Sequence, residues 1–123
     1  MYHVGIGKLK IRGMIASEDI RAGTIIEICP TLLSPVKDYE LLSKTILECY
    51  FFDWNKQYDA LVFGYGSMIN HSNNPNAKYH RDYKNKTLII SAIKEIKSGE
   101  EVLVNYNGNP TSQVEWKFER AEK

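Results

Sequence analysis

Apolar residues fall along this chain in short runs bounded by turn residues, at 4–9, 13–16, 24–30, 61–63, 88–92 and 102–106. Runs of this length, rich in β-branched residues, predict strands and a mainly β chain. Two of them share a preamble. Ile20-Arg21-Ala22-Gly23 leads into the third run and Ile96-Lys97-Ser98-Gly99 into the sixth, each glycine supplying the positive φ that a reversal needs. Leu41, Leu42 and Ile46 recur at near-helical spacing behind Ser34-Pro35, which predicts a short helix within 37–47. A second short helix or tight turn is expected at 67–69, where Gly64-Tyr65-Gly66 interrupts the pattern and Asn70 can close it. Residues 81–86 read as a polar hairpin loop and 107–113 as a flexible approach to the C-terminus.

Composition narrows the class without naming a chemistry. With 123 residues, 43% of them hydrophobic and 25% charged, the chain has the material for one globular core and is read as a single domain over 1–123. Sixteen Lys and Arg against 15 Asp and Glu leave a net charge of +1, so no global field favours nucleic acid or a membrane surface. No stretch has the length of a membrane span or the look of a signal peptide, so an intracellular protein is expected. Cys29 and Cys49 stand alone with no Cys-x-x-Cys, which predicts two free buried thiols, neither a zinc cluster nor a disulfide.

Two segments carry the chemistry: Asn70-His71-Ser72-Asn73-Asn74-Pro75-Asn76-Ala77, an ordered irregular loop, and Gly99-Glu100-Glu101-Val102-Leu103-Val104-Asn105-Tyr106, a turn and strand ending in a tyrosine. In this order they resemble the SET domain family, and the likeness extends upstream. Tyr50-Phe51-Phe52-Asp53 is similar to the family's Tyr-x-Phe-Asp element, Arg12-Gly13-Met14-Ile15-Ala16 to its N-terminal glycine motif, and 19–26 to its second strand. The resemblance covers residues 5–108 and is to minimal, stand-alone members such as viral and bacterial ones. It implies a β-clip-like fold of short curled sheets with one or two short helices, in which the Asn-His segment and the C-terminal segment cross like a knot, a rare arrangement.

The same resemblance implies a protein-lysine methyltransferase that uses S-adenosyl-L-methionine. Tyr106 is then the catalytic tyrosine between cofactor and substrate. Arg12, Gly13, Asn70 and His71, with Tyr106, are expected to contact the cofactor, and Tyr50, Val104 and Tyr65 to line the lysine channel. Trp116 and Phe118, in the tail at 109–123, are candidates for stacking on adenine or closing that channel. Val104 stands where the family's Phe or Tyr influences the number of methyl groups added, and its small apolar side chain points to di- or trimethylation.

Some positions depart from the family pattern. Ile11 replaces the first glycine of the N-terminal motif, Ser67 stands where many members carry arginine, and the cysteines of flanking zinc clusters are absent. The expected partner is a protein substrate bearing a lysine, either a histone or an endogenous protein, with no nucleic acid, no membrane and no metal. An unfinished channel wall also invites a homodimer. Expected locations are the cytoplasm, or the nucleus of a host cell if the source is a virus or intracellular microbe. A catalytically degenerate SET domain, or a β-clip binding module without turnover, is the alternative.

Overall fold

A computed structural model of the chain describes residues 1–7 and 11–113. Among these residues, nine strands form two sheets. The first places β1 (Tyr2–Ile6), β2 (Arg12–Ala16), β9 (Glu101–Val104) and β6 (Asn70–His71) side by side in that order. The second runs β4 (Phe51–Asp53), β5 (Tyr58–Val62), β3 (Ile25–Pro35), β8 (Thr87–Ala92), β7 (Ala77–Asp82). The mainly β, curled architecture is the one the resemblance implies.

Burial follows the two-residue period of a half-covered sheet. Val102 and Val104 of β9 and Leu88 and Ile90 of β8 are fully buried, joined by Met14, Val62, Ile69, Phe52 and Trp54 in one core. Cys29 and Cys49 are both buried and outside any disulfide among the described residues.

Three local outcomes differ from the pattern-based expectation. The third run does not stop at Pro30 but continues to Pro35. β3 pairs with β8 through Pro30 and with β5 from Thr31 onward, so the residue without an N–H sits where the strand changes partners. The apolar pattern does not predict β7, because its inward positions include a small Ala77 and an amphipathic Tyr79 while Lys78 and His80 face solvent. The helix expected within 37–47 is broken into a 3₁₀ turn Val36–Asp38, a four-residue α1 (Tyr39–Leu42) and a second 3₁₀ segment Ile46–Tyr50. Thr45 makes the break: its backbone is extended, its hydroxyl donates to the Leu42 carbonyl, and Leu47 N–H donates to its Oγ1.

The two similar turns meet each other. Ile20 and Ile96 exchange backbone hydrogen bonds of 2.7 and 2.8 Å. Gly23 N–H donates to the Ala92 carbonyl and Gly99 N–H to the Ala16 carbonyl, both at 2.8 Å. Ala92 N–H in turn donates to the Thr24 carbonyl and Ala16 N–H to the Glu100 carbonyl, both at 2.9 Å. Every bond has a counterpart in which the two turns swap roles, so the clip has local two-fold symmetry. Gly23 and Gly99 occupy equivalent places at φ +85° and +89°.

The Asn70–Ala77 segment is laced to β9. β6 lies parallel to it, and Ser72 N–H donates to the Val104 carbonyl at 2.9 Å. Asn76, which is buried, accepts from Leu103 N–H through Oδ1 and donates from Nδ2 to the Glu101 carbonyl, both at 2.8 Å. This is the crossing that the resemblance led us to expect.

Candidate active site

Tyr106 follows β9 by two residues, where the chain leaves the sheet, and its phenol turns inward. The hydroxyl donates to the Ile69 carbonyl at 2.5 Å. Phe52 meets the ring edge-on with centroids 6.1 Å apart, and the Tyr79 hydroxyl holds the Tyr106 carbonyl at 2.9 Å. Burial pushes the phenol far above its ordinary range, and the neighbouring Cys49, Glu101 and Tyr79 add to the effect. It therefore stays protonated at neutral pH.

His71 is a clamp on the same residue. Tyr106 N–H donates to its Nδ1 at 2.9 Å, and its Nε2 lies 3.0 Å from Asn73 Oδ1. An accepting Nδ1 leaves the proton on Nε2, which donates to the Asn73 carboxamide. Burial lowers the imidazole's pKa, partly opposed by the Asn73 bond, so the ring is neutral and both nitrogens are engaged. Such a histidine orients backbone and is not placed as a base.

On the other side of Tyr106 the first sheet offers acceptors. Asn70, buried on β6, donates from Nδ2 to the Arg12 carbonyl at 2.8 Å and to Glu101 Oε2 at 2.9 Å. A Cβ on Gly13 would collide with that Glu101 carboxylate and come within 2.9 Å of Asn70 Nδ2, and one on Gly7 would strike the same carboxylate. The glycines let two strands close over a charged group that no larger residue would admit. A cavity of about 510 Å³ opens beside it, lined by Gly7, Ile15, Asn74, Asn76, Glu101 and Leu103 among others. Tyr106 and His71 are not in that lining, so the cavity flanks the chemistry through Glu101.

The site thus brings together Arg12, Gly13, Asn70, His71 and Tyr106. Tyr50 is half-buried at the end of Ile46–Tyr50, next to the buried Cys49, a neighbour of Tyr106. Tyr65 is 48% exposed and packs edge-on against Tyr2 at 5.3 Å, at the β1 end of the fold. Val104 has no exposed surface and belongs to the core. Trp116 and Phe118 lie outside the described residues. No group of three or more His, Cys, Asp or Glu suited to a metal ion occurs among the described residues.

Sequence reasoning missed Glu101 as a site residue, although it stands inside the Gly-Glu-Glu motif and two glycines are spaced to receive it. The Ile69 carbonyl leaves no mark in sequence, since any residue has one.

Comparison with known proteins gives the arrangement its relatives. A family model described as SET domain matches residues 11–107. A histone-lysine N-methyltransferase of Schizosaccharomyces pombe, specific for lysine-37 of histone H3, is 37% identical over 98 residues, which is 79% of this chain and 67% of that protein. The crystal structure of a protein assigned as a histone methyltransferase from Plasmodium falciparum superposes with a TM-score of 0.66 at 30% identity, covering 89% of this chain and 99% of that one. A humanized mutant of the Chaetomium thermophilum Polycomb Repressive Complex 2 gives a TM-score of 0.73 at 24% identity, over 90% of this chain and 16% of that one, a likeness of fold.

Proposed function

The chain belongs to the SET domain family of protein-lysine methyltransferases, and from that premise we propose that it moves a methyl group from S-adenosyl-L-methionine to a lysine side chain, with a histone as the first substrate to test. The observation that carries this reading is the Tyr106 hydroxyl fixed on the Ile69 carbonyl beside an acceptor-rich wall.

The wall fits the cofactor's charge. The Glu101 carboxylate, the Asn70 carboxamide and the carbonyls of Arg12 and Ile69 offer oxygens, which suit a ligand bearing an ammonium and a sulfonium. Asn70, Gly13 and Arg12 would hold it, with His71 keeping the adjoining backbone in place. When bound, S-adenosyl-L-methionine supplies an electrophilic methyl and a positive charge that favours a neutral amine nearby.

The chain's own residues do the rest. Deprotonating a lysine of ordinary pKa at neutral pH costs about 4 kcal/mol. A cation about 4 Å away at an effective dielectric of about 20 repays a similar amount. No side-chain base is then needed, in keeping with a protonated Tyr106 and a His71 whose nitrogens are both engaged. The amine would give its proton to solvent as it comes within reach of the cofactor's charge, which is where its pKa is lowered. Within the site, the Tyr106 oxygen and the Ile69 carbonyl accept from the amine N–H groups and aim its lone pair, while Phe52 and the core exclude water.

Transfer from methyl-labelled S-adenosyl-L-methionine to histones, read beside cofactor titration by calorimetry, tests the proposal. Cofactor-dependent label on a lysine is expected. Absence of both binding and label would favour the β-clip binding module, whose motivation is the paired Ile20 and Ile96 turns; binding without label on histones or on an extract would favour a degenerate domain.

A further inference from the structure

Glu27 is a carboxylate on the inward side of β3, two residues before the buried Cys29, at the point where the register with β8 slips. A carboxylate facing a core is costly unless its oxygens are satisfied. Here four donors converge on it. Gly66 N–H donates to Oε1 at 2.6 Å and Tyr65 N–H to Oε2 at 3.3 Å. The Tyr2 hydroxyl donates to Oε2 at 2.9 Å and the Cys29 thiol to Oε1 at 3.0 Å. Burial, followed by the bond to Glu27, pushes the Tyr2 phenol up to about 12 and the Cys29 thiol well above its usual value, so both remain donors at neutral pH.

The bonded amides belong to the 3₁₀ turn Tyr65–Met68, which enters from Gly64 at φ +86° and leads straight into Ile69 and β6. The turn has little room to slide. A Cβ on Gly66 would lie 2.6 Å from Cys29 Sγ and 2.9 Å from Ile90 Cδ1. Ile69 N–H donates to the Gly66 carbonyl at 3.3 Å, so the residue held by the carboxylate is tied to the one whose carbonyl receives the Tyr106 hydroxyl.

We infer that Glu27 is a positioning residue for methyl transfer: by gripping the Gly66 amide it sets the Ile69 carbonyl against the Tyr106 hydroxyl. This rests on the reading of Tyr106 as the group that aligns the amine. A carboxylate is required because both oxygens accept from main-chain N–H groups. A carboxamide presents one oxygen and a second set of donors, which would repel one of those amides.

The test is Glu27→Gln in the full chain, with kcat, KM and cofactor affinity measured per folded molecule and the Tyr106 ring followed by 13C-tyrosine NMR. Cofactor affinity and KM within about threefold of wild type, with kcat down at least about tenfold and a displaced Tyr106 resonance, is the expected result. Tyr2→Phe, which removes one donor but leaves the Gly66 bond, should keep kcat within about twofold. A Glu27→Gln protein that melts earlier yet turns over at the wild-type rate, or leaves the Tyr106 resonance unmoved, would overturn the inference. If that variant does not fold, Glu27→Asp is read by the same measures, and the wild-type Gly66 amide proton decides beside it: far downfield and slow to exchange as expected, or fast-exchanging and against the inference. Should the wild type transfer no methyl at all, the proposed function fails by itself, while the Tyr106 resonance still decides the role of Glu27.

Discussion

At the scale of single residues, the Tyr106 phenol is held by its hydroxyl on Ile69, its ring against Phe52, and its backbone on His71 and Tyr79. Tyr106→Phe removes only the hydroxyl. Methyl transfer should fall by about 100-fold or more through lost alignment, while the stability loss stays near one hydrogen bond, about 1 kcal/mol. Filter-binding of labelled product and a thermal melt check the two halves, and near-wild-type turnover would remove Tyr106 from the mechanism. Val104 makes the opposite forecast. Because it is fully buried, Val104→Phe should overfill the core and cost about 1–3 kcal/mol. Mass spectrometry of the product from the wild type separately tests whether di- or trimethyl-lysine forms, and a reaction that stalls at monomethyl-lysine would end that expectation.

At the scale of elements, the paired turns were legible as a repeated phrase, because glycine at a reversal is a strong local signal. Their mutual hydrogen bonding was not, since sequence says nothing about which turn faces which. The symmetry predicts symmetric costs. Neither Gly23 nor Gly99 has an atom within 4 Å of where a Cβ would stand, so alanine at either meets only backbone strain. Each substitution should cost about 1–2 kcal/mol, nearly equally. Urea denaturation of Gly23→Ala and Gly99→Ala measures this, and a large cost at one with none at the other would show that the halves of the clip are not equivalent. The broken helix was illegible for a related reason. Apolar spacing registers Leu41, Leu42 and Ile46, but the hydroxyl of Thr45 decides where the turn ends.

At the scale of the molecule, the family resemblance implied which chain segments meet, and β6, β9, Gly13 and Tyr106 do meet. What spacing did not carry was main-chain chemistry: the Ile69 carbonyl, the amides on Glu27, and the Asn76 side chain stitching β9. Side-chain roles inferred from a family pattern also depend on local packing, which is why Tyr65 is found against Tyr2 and Val104 inside the core. Burial gives the whole fold a pH signature. Tyr2, Tyr79, Tyr106 and Cys29 all have raised values in the folded state, so the stability they contribute is complete below their unfolded values of 10.0 for tyrosine and 9.0 for cysteine, and is lost as pH rises beyond them. His71 is lowered, so its contribution is present above 6.5 and is lost as the pH falls through its folded value. Denaturation at a series of pH values should show an alkaline decline beginning at about pH 9, shallower in Tyr106→Phe than in wild type; identical slopes would mean that the phenol is not buried as described.

The lacing of β9 through the Asn70 loop also orders events in time. Arg12 and Gly13 leave the ribosome before Asn70 and His71, and these before Glu101 and Tyr106. A nascent chain that ends before Tyr106 cannot assemble the acceptor wall, the tyrosine and the carbonyl together, so it is inert toward its neighbours' lysines until β9 has been threaded.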